Sequence, residues 1–424
     1  MEFKNWSLIG GLKLIVIFKT AKPNNGQKKK LLWVSVLILD VHLHKESKLG
    51  ILGGLVKRGY APTLIAMRSH LLVKPENPKL RILSIPLRYF PVISPIMFTI
   101  AMFLFLPIYI LVSKPAYIIT DPNVSIFSFA SVLLLSKLRR IKLVLDIRSP
   151  PVEISGFRGF LQTFSFINSI LIAKKFFDGI TILTSSMKKE VCERFGLSPE
   201  TVGIWSSGVS LTKFNPEIFN LEKANLRKKL GLSGKFVVLY HGVFSSNRGL
   251  IETIEAMSIV KKTNCNIIFL LLGTGPSKKK LKDLIQKRKL QENVIIHDPV
   301  ELLEVPKYIA MCDVGIVPLP NHPYWRSQSP LKLLEYLAMK KVVLLTSITA
   351  HQLVVRNELC GIYISLANSV EIAKSILYAY DNREKLEDWG KCGRKLVEEE
   401  YTWEKLASTF ERYLFSIDNN VSKT

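Results

Sequence analysis

Ser329-Pro330-Leu331-Lys332-Leu333-Leu334-Glu335-Tyr336-Leu337-Ala338 joins a helix start, one cation and one carboxylate on an otherwise apolar stretch. Serine is a favoured N-cap and proline a favoured first helical residue, so the pair predicts a helix capped by Ser329 and opening at Pro330. Such an end presents unpaired backbone N–H groups and the positive end of the helix dipole, and both attract anions. Lys332 in the first turn opposes that dipole unless a negative group lies beside it, which points to a bound phosphate. Glu335 can accept two hydrogen bonds from a vicinal diol such as a ribose. An ordinary amphipathic helix with a solvated lysine and glutamate at i, i+3 fits the same letters.

Outward from this stretch, Cys312 to Leu319 and Lys341 to Thr346 read as short buried strands. Strand, loop, helix, strand is a βαβ unit, the building block of a parallel sheet. A further apolar run, Ile267 to Leu272, leads into Gly273-Thr274-Gly275-Pro276, a glycine turn that carries little weight alone.

Taken together, these segments resemble the donor-binding half of family 4 (group 1) glycosyltransferases, enzymes of the GT-B fold: two Rossmann-like, doubly wound parallel-sheet α/β domains facing a central cleft. Gly208-Val209 with Phe214 and Pro216 resembles the family's segment at the domain junction. Tyr240-His241-Gly242 followed by Asn247-Arg248-Gly249 resembles its phosphate loop, with Arg248 in the place of the basic residue that contacts the diphosphate. Gly273 and Gly275 stand in its GxGP turn, and Asn293 to Val300 with Val305-Pro306-Lys307-Tyr308 resembles the segment whose backbone recognises the base. Order and spacing agree over residues 200 to 415.

The departures from the family pattern are specific. The motif Glu-x7-Glu has Ser327 in place of its first glutamate, Pro330 in place of a glycine, Asp298 in place of another, and Val243 in place of a frequent arginine. What the resemblance implies is a donor site made of Glu335, Leu331, Pro330, Ser329, Gly242, Gly273, Gly275 and Val300. Arg248 and Lys332 would be the cations that stabilise the departing diphosphate. It implies a UDP- or GDP-sugar as donor substrate, retention of anomeric configuration, and neither a cofactor nor a metal. A hinge near Ser206 to Pro216 would let the domains close and exclude water.

The first half of the chain carries the same alternation. Leu31 to Leu39 is an apolar run of strand length ending at Asp40, followed by a loop and a helix to Arg58 closed by Gly59. Thr63 to Ala66, Tyr117 to Thr120, Lys142 to Asp146 and Gly179 to Leu183 read as further strands. In such a sheet ligands bind beyond the carboxyl ends of the strands, where Asp40, Asp121, Asp146 and Arg148 fall. Asp146 or Arg148 is expected to position acceptor or leaving group, the alternative being that Asp146 only caps its loop. His42 and His44 beside Asp40 lack a further ligand at metal spacing, so they read as loop histidines on the acceptor side. The expected division is an extension over 1–30, an acceptor-binding domain over 31–207, a donor-binding domain over 208–395, and a C-terminal helix over 396–424 that crosses back. Trp403 to Ile417 supplies its amphipathic pattern.

The chain of 424 residues is long enough for such domains, and its net charge of +25 needs an anionic partner. No nucleic-acid module or aromatic-interleaved basic repeat is present, so an anionic membrane surface is expected and nucleic acid is not. Val92 to Val112 is uncharged and long enough to span a bilayer. Strand-like segments on both sides argue against a span, and Pro95 and Pro107 are expected to break the run. Two readings fit: a helix buried at one end and dipping into the membrane interface at the other, or a core helix. Leu8 to Phe18 is apolar but short, with no small-residue cleavage site after it.

The five cysteines are isolated in sequence, with no CxxC, which fits a reducing cytosol. The expectation is therefore a cytoplasmic enzyme, peripherally associated with the inner face of the membrane, acting on a lipid-linked or polysaccharide acceptor. The competing readings are a UDP-sugar epimerase of the same fold and a basic nucleic-acid- or membrane-binding protein without catalysis.

Overall fold

The computed structural model describes residues 6–7, 13–14, 29–39, 45–68, 77–87, 90, 92–151, 156–356 and 360–419. Asp40, His42 and His44, named above for the acceptor side, lie outside these residues, as do Leu8 to Leu12 and Ile15 to Phe18. The chain divides into two compact units, residues 1–205 with 406–424 and residues 206–405.

In the first unit, β1 (Trp6–Ser7) and β2 (Lys13–Leu14) form a short antiparallel pair. The main sheet has seven parallel strands in the order β5-β4-β3-β6-β7-β8-β9. These are β3 (Lys30–Ile38), β4 (Ala61–Arg68), β5 (Arg81–Pro86), β6 (Tyr117–Thr120), β7 (Lys142–Ile147), β8 (Gly179–Ile182) and β9 (Val202–Ile204). Leu31 to Val34 of β3 and all of β6 are buried, the continuous apolar pattern of parallel strands covered on both faces. The helices between them are α1 (Lys45–Lys57), α2 (Ile93–Ser113), α3 (Leu133–Leu138), α4 (Gly156–Phe176) and α5 (Ser185–Phe195).

The amphipathic C-terminal segment forms a helix over Trp403–Asn419, and its part from residue 406 belongs to this unit. Its Tyr413 hydroxyl accepts from the Ile180 N–H at 2.9 Å and donates to the Thr201 carbonyl at 2.7 Å. Glu411 forms an ion pair with Arg58.

Two expectations about the apolar run are corrected. It forms one uninterrupted helix, α2, that continues through Pro107. A proline removes one backbone donor, but Pro95 sits in the first turn, where no intrahelical acceptor exists, and the buried side of α2 holds the rest in place. The helix is not buried at one end. Phe98, Met102, Leu106 and Ile110 on one side are inside the core along its whole length, while the opposite side is exposed. Among the described residues α2 is the helix long and apolar enough to cross a membrane, with 28% of its apolar window buried.

The second unit has a six-stranded sheet in the order β12-β11-β10-β13-β14-β15, with every pairing parallel. Its elements in sequence are α6 (Asn220–Lys229), β10 (Phe236–Val243), α7 (Leu250–Thr263), β11 (Ile267–Thr274), α8 (Lys278–Lys287), β12 (Val294–His297) and α9 (Val305–Met311). They continue with β13 (Val314–Val317), α10 (Pro323–Arg326), α11 (Leu331–Ala338), β14 (Val342–Thr346) and α12 (Thr349–Gln352). β15 (Gly361–Ile364), α13 (Ser369–Asp381) and α14 (Leu386–Glu400) precede α15 (Trp403–Asn419).

Alternate residues of β10 feed two cores on opposite faces of this sheet. Val237 and Leu239 pack with α9 and α11, while Val238 and Tyr240 pack with α7 and α13. Strand order runs outward from β10 through β11 to β12 and, on its other side, through β13 to β15. The crevice between β10 and β13 is therefore the switch point at which parallel α/β sheets bind ligands. Packing also brings Cys360 and Cys392, isolated in sequence, to 2.7 Å between their Sγ atoms, both as free thiols.

Candidate functional site

The stretch that opened the sequence reading lies at this switch point. Helix α11 begins one residue later than its letters predict. Pro330 occupies the N-cap position with φ −71° and ψ 113°, and no side chain caps the helix. The Ser329 hydroxyl makes no cap and is buried without a hydrogen-bond partner, while its carbonyl accepts from Ser207 Oγ at 3.1 Å. The physical reason is the proline ring. It pushes Ser329 out of capping geometry and leaves the first-turn N–H groups, beginning at Leu331, without a side-chain acceptor.

Lys332, in that first turn, has a buried Nζ with no hydrogen-bond partner. The ammonium stands over the Tyr240 ring, 3.8 Å from its centroid. Burial, reinforced by the charge of Arg248, holds its pKa well below the ordinary lysine value, and Glu335 pulls the other way. An ammonium stripped of water and hydrogen bonds is costly, and an incoming anion would relieve it. Gly242, next to last in β10, lies beside it with φ 123°, and a Cβ there would lie 3.2 Å from Lys332 Nζ. The missing side chain keeps the space in front of the ammonium open.

Arg248 enters from the loop after β10. Its guanidinium lies 4.9 Å from the Trp325 ring centroid, and its Nε donates to Ser245 Oγ at 3.2 Å. Trp325 is fixed in turn by donating to the Asn247 carbonyl at 2.8 Å. Gly249 next to it, at φ 70°, starts α7. A Cβ there would come within 1.9 Å of the Pro318 carbonyl oxygen, so only glycine lets this loop approach the end of β13. Arg248 and Lys332 are near enough to depress the lysine's pKa, and both border Tyr240, so one pocket wall carries two cations.

One turn along α11, Glu335 Oε2 lies 3.3 Å from His241 Nε2. Loss of water, with Lys332 adding to it, lowers the imidazole pKa to about 3, so the ring is neutral at physiological pH and the contact is not an ion pair. The ring packs edge-on to Tyr336, with centroids 5.1 Å apart. Gly273 and Gly275 flank Thr274, the last residue of the neighbouring strand β11, with Gly273 beside Gly242 in register. Val300 lies in the loop after β12, packed against the core that also holds Tyr308. Asp298 points outward, paired with Lys278.

Sequence reading singled out Arg248, Lys332, Glu335, Gly242 and Ser329 to Leu331, and the fold gathers all of them in the second unit. It passed over His241, Tyr240 and Trp325. The first two lie inside the quoted Tyr240-His241-Gly242 segment, but only the close approach of α11 gives them a role. Trp325 lies in the short helix α10 before α11, where nothing in its spacing links it to Arg248.

In the first unit, Asp146 and Arg148 sit together at the end of β7. Asp146 is fully buried, and its Oδ1 accepts from Thr181 Oγ1 at 2.7 Å and Trp205 Nε1 at 2.8 Å. Burial raises its carboxyl pKa. Arg148 stacks on Trp205, 3.5 Å from the ring centroid, and donates to its carbonyl at 2.7 Å. Loss of water lowers the guanidinium pKa to about 10, so it stays charged at neutral pH. Asp121 forms an ion pair with Lys48, which lies 4.5 Å from the Trp33 ring centroid. Neither Lys48 nor the two tryptophans carries a motif signal.

Comparison with known proteins agrees with this geometry. The profile of the family Glycosyl transferases group 1 matches residues 222–396. The uncharacterized glycosyltransferase MJ1607 of Methanocaldococcus jannaschii is 24% identical over 236 residues, which are 54% of this chain and 57% of that protein. The chain thus spans little more than half of that relative. The structure of HepE from Anabaena in complex with UDP and glucose superposes with a TM-score of 0.70 at 13% identity, covering 92% of this chain and all of that one. WaaG, a glycosyltransferase involved in lipopolysaccharide biosynthesis, superposes with a TM-score of 0.65 at 14% identity, over 89% of this chain and 98% of that one. Residues 222–396 thus match the profile of the group 1 glycosyl transferases, and the two parallel-sheet α/β units share the GT-B fold of these structural neighbours.

Proposed function

We propose that this protein is a retaining glycosyltransferase. It moves a sugar from a nucleoside-diphosphate sugar to a lipid-linked or surface-glycan acceptor at an anionic membrane surface. The observation that carries the donor half is the buried, unpartnered Lys332 ammonium at the start of α11, with Arg248 beside it and Glu335 one turn along. Two cations and the open helix end suit a diphosphate, and a carboxylate at that distance suits a ribose diol. HepE, a neighbour in fold, was crystallised with UDP, which supports a uridine nucleotide here. WaaG's place in lipopolysaccharide biosynthesis supports a membrane-borne glycan acceptor.

In the proposed reaction the bond between the anomeric carbon and the diphosphate oxygen breaks as the acceptor hydroxyl attacks on the same face. The hydroxyl proton passes to the departing phosphate. Arg248, Lys332 and the first-turn N–H groups of α11 hold the negative charge that builds on the leaving group, and fixed donors of this kind are worth about a hundred- to a thousandfold in rate each. Ser329, Pro330 and Leu331 shape that end. Gly242, Gly273 and Gly275 keep the strand ends open, and Val300 lies on the base side. No step calls for a metal or cofactor. Asp146 acts by fixing Trp205 beside Arg148, which places Arg148 for the acceptor.

The test is thermal-shift and turnover screening against UDP-, GDP- and ADP-sugars, with the product anomer assigned by NMR. Selective stabilisation by one nucleotide sugar and a product of unchanged anomeric configuration support the reading. No stabilisation by any donor refutes it, and conversion of the donor sugar without an acceptor would make the protein an epimerase.

A further inference from the structure

We propose that the outer surface of α2 and α4 in the first unit is a membrane-docking face that inserts shallowly into an anionic leaflet. It deepens the reading of the acceptor as membrane-borne. In an ordinary surface helix the solvent side is polar. The exposed side of α2 is instead made of Ile93, Ile100, Leu104, Ile108 and Val112, the last two 61% and 70% exposed. These residues recur at helical spacing opposite the buried Phe98, Met102 and Leu106.

A second stripe continues the first. Phe157, Phe160, Phe164 and Leu171 lie on one side of α4 and are all exposed, Phe157 by 69%. Phe164 touches Phe127, with ring centroids 6.3 Å apart, and stacks near Phe160 at 6.0 Å. Phe127 belongs to the 3₁₀ stretch Val124–Ser131, which packs against both α2 and α4, and both helices cover the same face of the sheet through Leu143, Leu145 and Ile147. The surface is therefore continuous and far more apolar than scattered exposed side chains would make it.

Charge selects the occupant. Exposed cations flank these elements: Lys114 caps the end of α2, Lys137 lies on α3 with Arg139 and Arg140 just after it, and Arg158 is in the first turn of α4. Residues 93–176 hold only three acidic residues, Asp121, Asp146 and Glu153. Asp121 is paired with Lys48, and Asp146 is buried. A second copy of a chain carrying +25 would bring cations against cations, whereas anionic headgroups neutralise them. A transmembrane course for α2 is excluded, because it joins β5 to β6 of one sheet and packs on that sheet along its length. Shallow insertion of an apolar stripe with a basic rim is the remaining physical arrangement.

The full-length chain is tested by flotation with phosphatidylcholine vesicles and with an equal mixture of phosphatidylcholine and phosphatidylglycerol, at low and high salt. The wild type floats with the anionic vesicles, and salt weakens that binding. The pairs Ile100→Ser with Leu104→Ser, and Phe157→Ser with Phe160→Ser, each reduce vesicle partition by about tenfold or more, since each removes large apolar side chains from the leaflet. Leu221→Ser, at an 86% exposed position of the second unit, leaves it unchanged. Melting temperature and nucleotide-sugar stabilisation stay at wild-type levels in all three, because none of these residues lies at the donor site. Wild-type flotation by both pairs overturns the proposal. So does a wild type that ignores vesicles and forms a concentration-dependent dimer that the same pairs dissolve. Flotation as expected without any donor stabilisation supports the docking face and refutes the glycosyltransferase reading alone.

Discussion

Replacing Lys332 with methionine acts in opposite directions on the empty and the nucleotide-bound protein. Methionine keeps the unbranched stem over Tyr240 and deletes a buried ammonium that has no hydrogen bond and sits in the field of Arg248. Exchanging a poorly compensated buried charge for an apolar group of similar shape stabilises a protein by about 1–3 kcal/mol. For a unit of this size the melting temperature rises by roughly 2–4 °C per kcal/mol. The bound state responds the other way. A charge-assisted contact to phosphate is worth about 2 kcal/mol, so Kd for the nucleotide sugar rises roughly thirtyfold. At a donor concentration of about a hundred times the wild-type Kd, ligand stabilisation is about 2.7 kcal/mol, and thirtyfold weaker binding leaves about 0.9 kcal/mol. Differential scanning calorimetry with and without donor reads both numbers in one experiment. The reasoning fails if Lys332→Met melts below the wild type when empty, or if it retains the full donor-induced shift.

Glu335→Ala removes the carboxylate proposed for the ribose diol and weakens donor binding by about ten- to a hundredfold, measured by titration calorimetry with the fold checked by circular dichroism. An unchanged Kd would sink that role. Stability falls in acid because His241 and His351 are buried as neutral rings, burial lowering their pKa values to about 3 and about 4. Both folded values lie below the roughly 6.5 of an exposed ring, so the unfolded chain takes up protons first as pH falls. The contribution is complete above pH 6.5 and is lost downward at about 1.4 kcal/mol per pH unit per ring until the folded pKa is passed. Urea midpoints measured between pH 7 and pH 5 test this, and His351→Gln should flatten the slope by one ring's share. A level profile over that range would contradict the buried, neutral assignment.

Much of this protein is legible in its letters, for a local reason. Parallel strands buried on both faces must be unbroken apolar runs, so Leu31 to Val34, Ile267 to Leu272 and Val342 to Leu345 announce themselves. Glycines at strand ends and a serine–proline pair before an apolar helix mark where the strands end and the next helix begins. Residue type and spacing therefore identify the sheets and their alternation with helices, and together with the family resemblance they single out Lys332, Arg248 and Glu335 as candidates.

What spacing cannot express is which side chains lose water and what then faces them. The capping pair predicts a helix opening at Pro330, yet the proline ring denies Ser329 its capping geometry and leaves the helix end open. Nothing in the order of residues says that Lys332 Nζ is buried beside Gly242, that His241 is held neutral against Glu335, or that Trp325 carries Arg248. Those facts arise where β10, β13 and α11 converge, and burial sets the protonation states there. The run Val92 to Val112 makes the same point from the other side. Its composition is equally that of a membrane span, a core helix or a docking surface. The tertiary structure removes the first two, because both its ends feed one sheet and that sheet covers only one of its sides, and it leaves the docking surface as the proposal to test.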